Sequence, residues 1–267
     1  MSTSGTIRTG IGGWTFAPWE GTFYPDKLPK TRQLQFAGQE LATIEINGTY
    51  YGSQKPETFA KWAADVPDGF VFSLKASRFT TNRKILSQSS ESIEKFLGQG
   101  LTELGDRLGP ILWQFAPTKA FDPEDFEGFL KLLPKSRDGL PLRHALEVRH
   151  DSFKVPEFAA LARKCGAAIV YAHHPAYPEI ADVTADFVYA RLQQGSDEIE
   201  TCYAPAALDA WAGRLEDWAK GGEPADLPRI DPGTRPARQP RDVFAFFITS
   251  GKVNAPNGAR ALQRKVA

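Results

Sequence analysis

Eight short apolar runs alternate with longer segments of helical period along the 267-residue chain, and this predicts an α/β fold. The expected form is a single TIM-type (β/α)8 barrel, because eight parallel strands joined by crossovers need about this much chain. Length alone admits one large unit or two ordinary domains. With no internal repeat, heptad pattern or strong linker, residues 1–267 are expected to form one domain.

The expected strands are TIRTGIG (6–12), ATIEIN (42–47), FVFSLKA (70–76), GPILWQF (109–115), HALEVR (144–149), AAIVYA (167–172), FVYARLQ (187–193) and VFAFFIT (243–249). Helices are expected between them. In FDPEDFEGFLKLLP, Asp122 suits the N-cap, Pro123 the first helical position and Pro134 the stop, while Glu124 and Asp125 favour the positive end of the dipole. PETFAKWAADVP and ESIEKFLGQGLTEL are amphipathic, turning Phe59 and Trp62, and Ile93, Phe96 and Leu97, inward. APAALDAWAGRLEDWA and APNGARALQRKVA complete the expected set.

Two connections depart from this pattern. HHPAYPEIADVTAD, between strands six and seven, has two prolines and little apolar period, so a weak or missing helix is expected there. The Pro/Gly-rich stretch at about 221–242 reads as an insertion without regular structure, a loosely packed surface loop. As an αβ connection it belongs on the face opposite the C-terminal ends of the strands.

Polar residues inside the strands are the informative exceptions, since both faces of a parallel barrel strand are normally covered. Alternation sends Ile44 and Ile46 to one face and Glu45 and Asn47 to the other. The same parity puts Ser73, Lys75, Gln114, Glu147, Arg149, Tyr189, Arg191 and Gln193 on the inward face, mostly in the later half of each strand. Active sites of barrel enzymes lie at that end. Isolated buried charges are costly, so Glu45, Glu147, Lys75, Arg149 and Arg191 are expected to pair with one another or to meet a ligand. A structural ion-pair layer is the plain alternative.

Composition limits the partners. Lysine plus arginine equals aspartate plus glutamate at 32 each, so no global field draws the chain to nucleic acid or an acidic membrane. The basic stretch KASRFTTNRK leaves only a local phosphate site open. Cys165 and Cys202 form no metal spacing or disulfide framework, and no leader or long apolar span is evident, so a cytoplasmic protein is expected.

GIGGWTFAPWEGTFYP (10–25), IEINGTYYG (44–52), FVFSLKASRFTTNRKIL (70–86) and ALEVRH (145–150), with LGPILWQFAP (108–117) and FVYARL (187–192) in order, resemble the YecE-like proteins, domain-of-unknown-function family 72. The resemblance covers nearly the whole chain. It implies a TIM-type barrel and a polar pocket of Trp14, Glu45, Asn47, Tyr51, Lys75, Glu147, Arg149 and Arg191. The chain departs from the family pattern at Asn82 and Gln193, where the family usually has histidine, at Gln194, where it has glycine, and at Ile248 and Thr249, where it has an asparagine pair. It thus resembles a divergent branch.

The leading expectation is a metal- and cofactor-independent enzyme acting on a small polar or anionic metabolite, such as a sugar or sugar phosphate. Glu45 or Glu147 is the expected general base, with Lys75 the general acid or a Schiff-base nucleophile. Trp14, Asn47, Tyr51, Gln114, Arg149 and Arg191 would bind substrate, the two guanidinium forks suiting a carboxylate or phosphate. One alternative is a divalent-metal phosphoesterase, lyase or isomerase using Glu45, Glu147, His150, His173 and His174. Another is a ligand-binding protein without chemistry.

Overall fold

The computed structural model describes residues 4–267. Its barrel strands are β1 (Ile7–Gly12), β2 (Thr43–Ile46), β3 (Val71–Lys75), β4 (Leu108–Gln114), β5 (His144–Glu147), β6 (Ala168–His173), β7 (Phe187–Gln194) and β8 (Asp242–Ser250). All pair in parallel and close in the order β1-β8-β7-β6-β5-β4-β3-β2. The expected α/β barrel is therefore present, with every strand end within two residues of the sequence reading.

Between the strands lie α1 (Gln33–Glu40), α2 (Gly48–Tyr51), α3 (Pro56–Ala64), α4 (Arg78–Thr81), α5 (Ser90–Leu97), α6 (Pro123–Lys131), α7 (Pro156–Cys165), α8 (Pro205–Ala219) and α9 (Ala255–Val266). Asp122 caps α6 as expected, accepting from the Asp125 amide with Pro123 in the first turn. α1 and α7 lie outside the expected set. α1 buries Gln33, Leu34, Ala37 and Gly38, and α7 buries Phe158, Ala159 and Ala162, so the inner faces are too small or polar to give a strong apolar period. The helix expected across ESIEKFLGQGLTEL divides: α5 stops at Leu97, and Gly100 takes a φ of 97° before a 3-10 stretch from Leu101 to Arg107. A short antiparallel hairpin joins Ser136–Arg137 to Leu140–Pro141, turned by Asp138 and Gly139, both at positive φ.

Strand alternation makes two apolar layers. One lies between strands and helices and holds Ile44, Ile46, Phe72, Leu74, Trp113, Phe115 and Leu146. The other fills the barrel with Val71, Leu112, Ala145, Ala168, Val170, Phe187, Tyr189, Phe244 and Phe246. At the N-terminal end, Asp242 pairs with Arg143 at 3.0 Å and Arg8 at 3.8 Å, closing the bottom with charge.

The sixth crossover, residues 174–186, contains no helix, as expected from its prolines. Ile180, Ala181 and Val183 are buried in irregular chain instead. The insertion is firmer than a loose loop in its first half. Asp182 accepts from the amides of Ile230 and Asp231 at 2.7 and 2.9 Å, and the Ala181 amide donates to the Pro228 carbonyl at 2.8 Å. Arg163 of α7 bonds Asp231 and reaches Asp182 at 3.5 Å. A carboxylate in the helix-less crossover thus gives backbone donors of the insertion their partners.

Candidate functional site

Polar side chains of the upper barrel gather around Arg191. From β7 its Nε and Nη2 donate to both oxygens of Glu45 on β2, at 3.0 and 2.9 Å, and its Nη1 donates to Glu147 on β5 at 2.6 Å. Glu147 also accepts from Gln114 Nε2 at 2.8 Å, and its other oxygen takes Arg149 Nε at 2.9 Å and Nη2 at 2.8 Å. The Tyr189 hydroxyl donates to Glu45 at 2.7 Å and lies 2.8 Å from Ser73 Oγ. Both carboxylates are fully buried and every charge on them is answered, which is what sealed ions require.

Electrostatics follow from this geometry. Burial alone would raise the Glu147 carboxyl, but Arg191, Arg149 and the Gln114 bond override it and hold it at about 2. Burial would lower Arg191, yet Glu147 and Glu45 hold it above its ordinary value, so it stays charged. Tyr189 is raised, first by burial and then by Glu45, and remains a neutral donor.

Lys75 differs from the rest. It is 9% exposed at the end of β3, and among the described residues its ammonium has no hydrogen-bond or carboxylate partner. The Tyr50 ring lies under it, 4.3 Å from Nζ to the ring centre. Burial, then the charge of Arg191, lower it from 10.5 to about 8. Tyr50 owes its place to α2, a single helical turn fastened by Thr49 Oγ1, which donates to the Lys75 carbonyl at 2.7 Å.

The structure gathers Glu45, Lys75, Gln114, Glu147, Arg149 and Arg191, and sets two expected binding residues apart. Trp14 packs edge-on to Trp62 at 5.3 Å and beside Phe72, in the layer between strands and helices. Tyr51 is 68% exposed and touches Tyr50 edge-on. Asn47 stays at the mouth, donating to the Glu45 carbonyl at 3.3 Å. Tyr177 of the sixth crossover joins the site without having been expected, covering the Arg149 guanidinium at 4.4 Å, and His174, expected only as a metal ligand, stacks on Tyr177 at 4.0 Å instead. An aromatic between two prolines, in a crossover without helical period, was the available signal.

Residues 8–267 match the model of the family described as "Protein of unknown function DUF72". The chain belongs to the DUF72 family. It is similar to UPF0759 protein YunF of Bacillus subtilis, 26% identical over 157 residues that make up 57% of this chain and 54% of that protein. UPF0759 protein YecE of Escherichia coli K12 is 26% identical over 149 residues, 55% of this chain and 50% of that one. The chain spans about half the length of the curated relatives it matches. The crystal structure of a DUF72 family protein of Thermotoga maritima shares the fold, with a TM-score of 0.69 at 20% identity, covering 97% of this chain and 98% of that one.

In this DUF72 chain the donors named for a metal do not converge. His150 Nδ1 lies 2.8 Å from Ser152 Oγ and His173 Nδ1 lies 3.1 Å from the Tyr203 hydroxyl, while Glu45 and Glu147 are shared with arginines. No group of three or more His, Cys, Asp or Glu able to hold a metal occurs among the described residues. No helix among them is long and apolar enough to cross a membrane.

Proposed function

We propose that this DUF72 protein is an enzyme acting on a small polar or anionic metabolite at the C-terminal end of the barrel, with Lys75 as the proton-transfer group. The observation that carries the reading is the Lys75 ammonium, shielded and without an acceptor, at about 8. An amine in that range exists in both protonation states near neutral pH, which is what a general acid or base needs.

The roles of the other charges change with this reading. Glu147, held at about 2 with both oxygens occupied, is poorly suited to accept a proton, and Glu45 is bound bidentate by Arg191. Both serve to fix Arg191, while Lys75 is depressed first by burial and then by the Arg191 charge, against the opposing pull of the two carboxylates. Arg149 is the group best placed to meet an anion, since among the described residues one of its terminal nitrogens has only the Tyr177 hydroxyl, at 3.3 Å.

The experiment is a thermal-shift and turnover screen of polar and anionic metabolites on the full chain and on Lys75→Met. A metabolite turned over by the native protein should lose at least about a hundredfold in rate in the variant, the usual scale of a lost acid–base group. Turnover unchanged by the substitution would sink the reading. Ligands bound tightly and recovered intact by both proteins would favour a binding protein instead, a reading supported by the near-complete internal pairing of the ring.

A further inference from the structure

The Ser73–Tyr189 contact fixes a level across the barrel, since β3 and β7 are separated by three strands on either side. Two residues further along each strand, the same inward face carries Lys75 opposite Arg191. Two beyond Arg191 stands Gln193, only 2% exposed, whose Nε2 has no partner among the described residues. In register with Arg191, β6 offers only the methyl of Ala172. Among the described residues, Lys75 Nζ and Gln193 Nε2 are thus nitrogen donors of the upper barrel without acceptors, above a guanidinium that is already satisfied.

Charge makes the requirement sharper. Glu45 and Glu147 balance Arg191 and Arg149, to which they are bonded, so the cluster's excess positive charge resides on Lys75. An anionic ligand would answer that charge and supply acceptors to Gln193. The Tyr50 face stabilises a cation at the Lys75 nitrogen, whether an ammonium or an iminium.

Deepening the reading of Lys75 given above, we propose that its amine condenses with the carbonyl of a small compound bearing an anionic group close by, the chemistry shared by 2-oxo acids and sugar phosphates. The nitrogen lone pair forms the new bond to the carbonyl carbon, and the carbonyl π pair moves to oxygen. The carbon–oxygen bond then breaks, and the oxygen leaves as one water with the two amine protons. Solvent re-protonates the imine nitrogen, which places an iminium cation beside the ligand's own anion.

The test treats the full chain with pyruvate, dihydroxyacetone phosphate or uncharged dihydroxyacetone in the presence of cyanoborohydride, followed by peptide mapping. The expected result is an adduct on Lys75 with the mass of the probe less one oxygen. At neutral pH it should form on the order of a hundredfold faster than on an exposed lysine, in proportion to the larger neutral fraction. The anionic probes should label faster than the uncharged one, and their ranking separates the two ligand sources. Lys75→Arg, which keeps the charge and removes the nucleophile, should show no adduct at this position while retaining its cooperative melt. Labelling of Lys75 no faster than of exposed lysines with all three probes overturns the proposal, and equal labelling by the uncharged probe overturns its anionic part. Turnover that depends on Lys75 without any trapped adduct removes the imine and leaves the proton-transfer reading, whereas turnover unaffected in Lys75→Arg removes that reading.

Discussion

Lys75 and Glu147 each end a strand directly after a buried leucine, and their charges have opposite costs. The Lys75 value is depressed from 10.5 to about 8, so the unfolded chain binds more protons than the native one between those pH values. Stability contributed by this site therefore rises as pH climbs from about 8 toward the ordinary lysine range, and the cost of the buried cation is fully present below about 8. Lys75→Met should stabilise the fold at neutral pH by on the order of 2–3 kcal/mol, and the gain should vanish at high pH. Urea melts of both proteins across that range check the sign; a gain that grows with pH contradicts it. The inward set was legible because a polar residue in an apolar strand stands out and period two fixes its side. The family resemblance, not parity, supplied Trp14 and Tyr51, and both lie where the backbone has left the strand. Gly13 takes a φ of 71° just before Trp14, and α2 changes the period so that Tyr50, not Tyr51, faces Lys75.

At the scale of elements, strands were easier to read than helices, since their apolar runs are short and bounded while α1 and α7 bury small or polar residues. Tertiary fit was not readable at all. Gly10 in β1 lies so close to β2 that a Cβ there would fall 1.9 Å from the Thr43 carbonyl oxygen. Backbone cannot swing aside as a side chain does. Gly10→Ala should push β1 from β2 and cost at least about 1–3 kcal/mol, or leave the protein insoluble. Gly12→Ala meets the mobile end of Ile248 at 2.7 Å, and its thermal melt should fall much less. Equal melting temperatures for the two variants would contradict this account. The order of the insertion was likewise hidden, because the carboxylate that fastens it belongs to a different connection.

For the whole molecule, eight apolar runs and the order of six motifs were enough to indicate a barrel and its family, but not how the ring is closed. Closure draws on the last helix. Gln263 of α9 accepts from the Thr9 amide at 2.9 Å and donates to the Ile7 carbonyl at 3.2 Å, while Thr9 Oγ1 donates to the Ala259 carbonyl at 2.7 Å. Gln263→Ala strands two backbone groups of β1 and should destabilise by about 1–3 kcal/mol in urea titration. A loss below experimental error would mean that solvent replaces the side chain. The Arg191 arrangement carries a different kind of consequence. Because one guanidinium satisfies Glu45 from β2 and Glu147 from β5 together, a change at any of the three positions strands charge on strands far apart in the chain. Glu45, Glu147 and Arg191 should consequently be inherited or lost as a set, a single evolutionary character written at three separate places in the sequence.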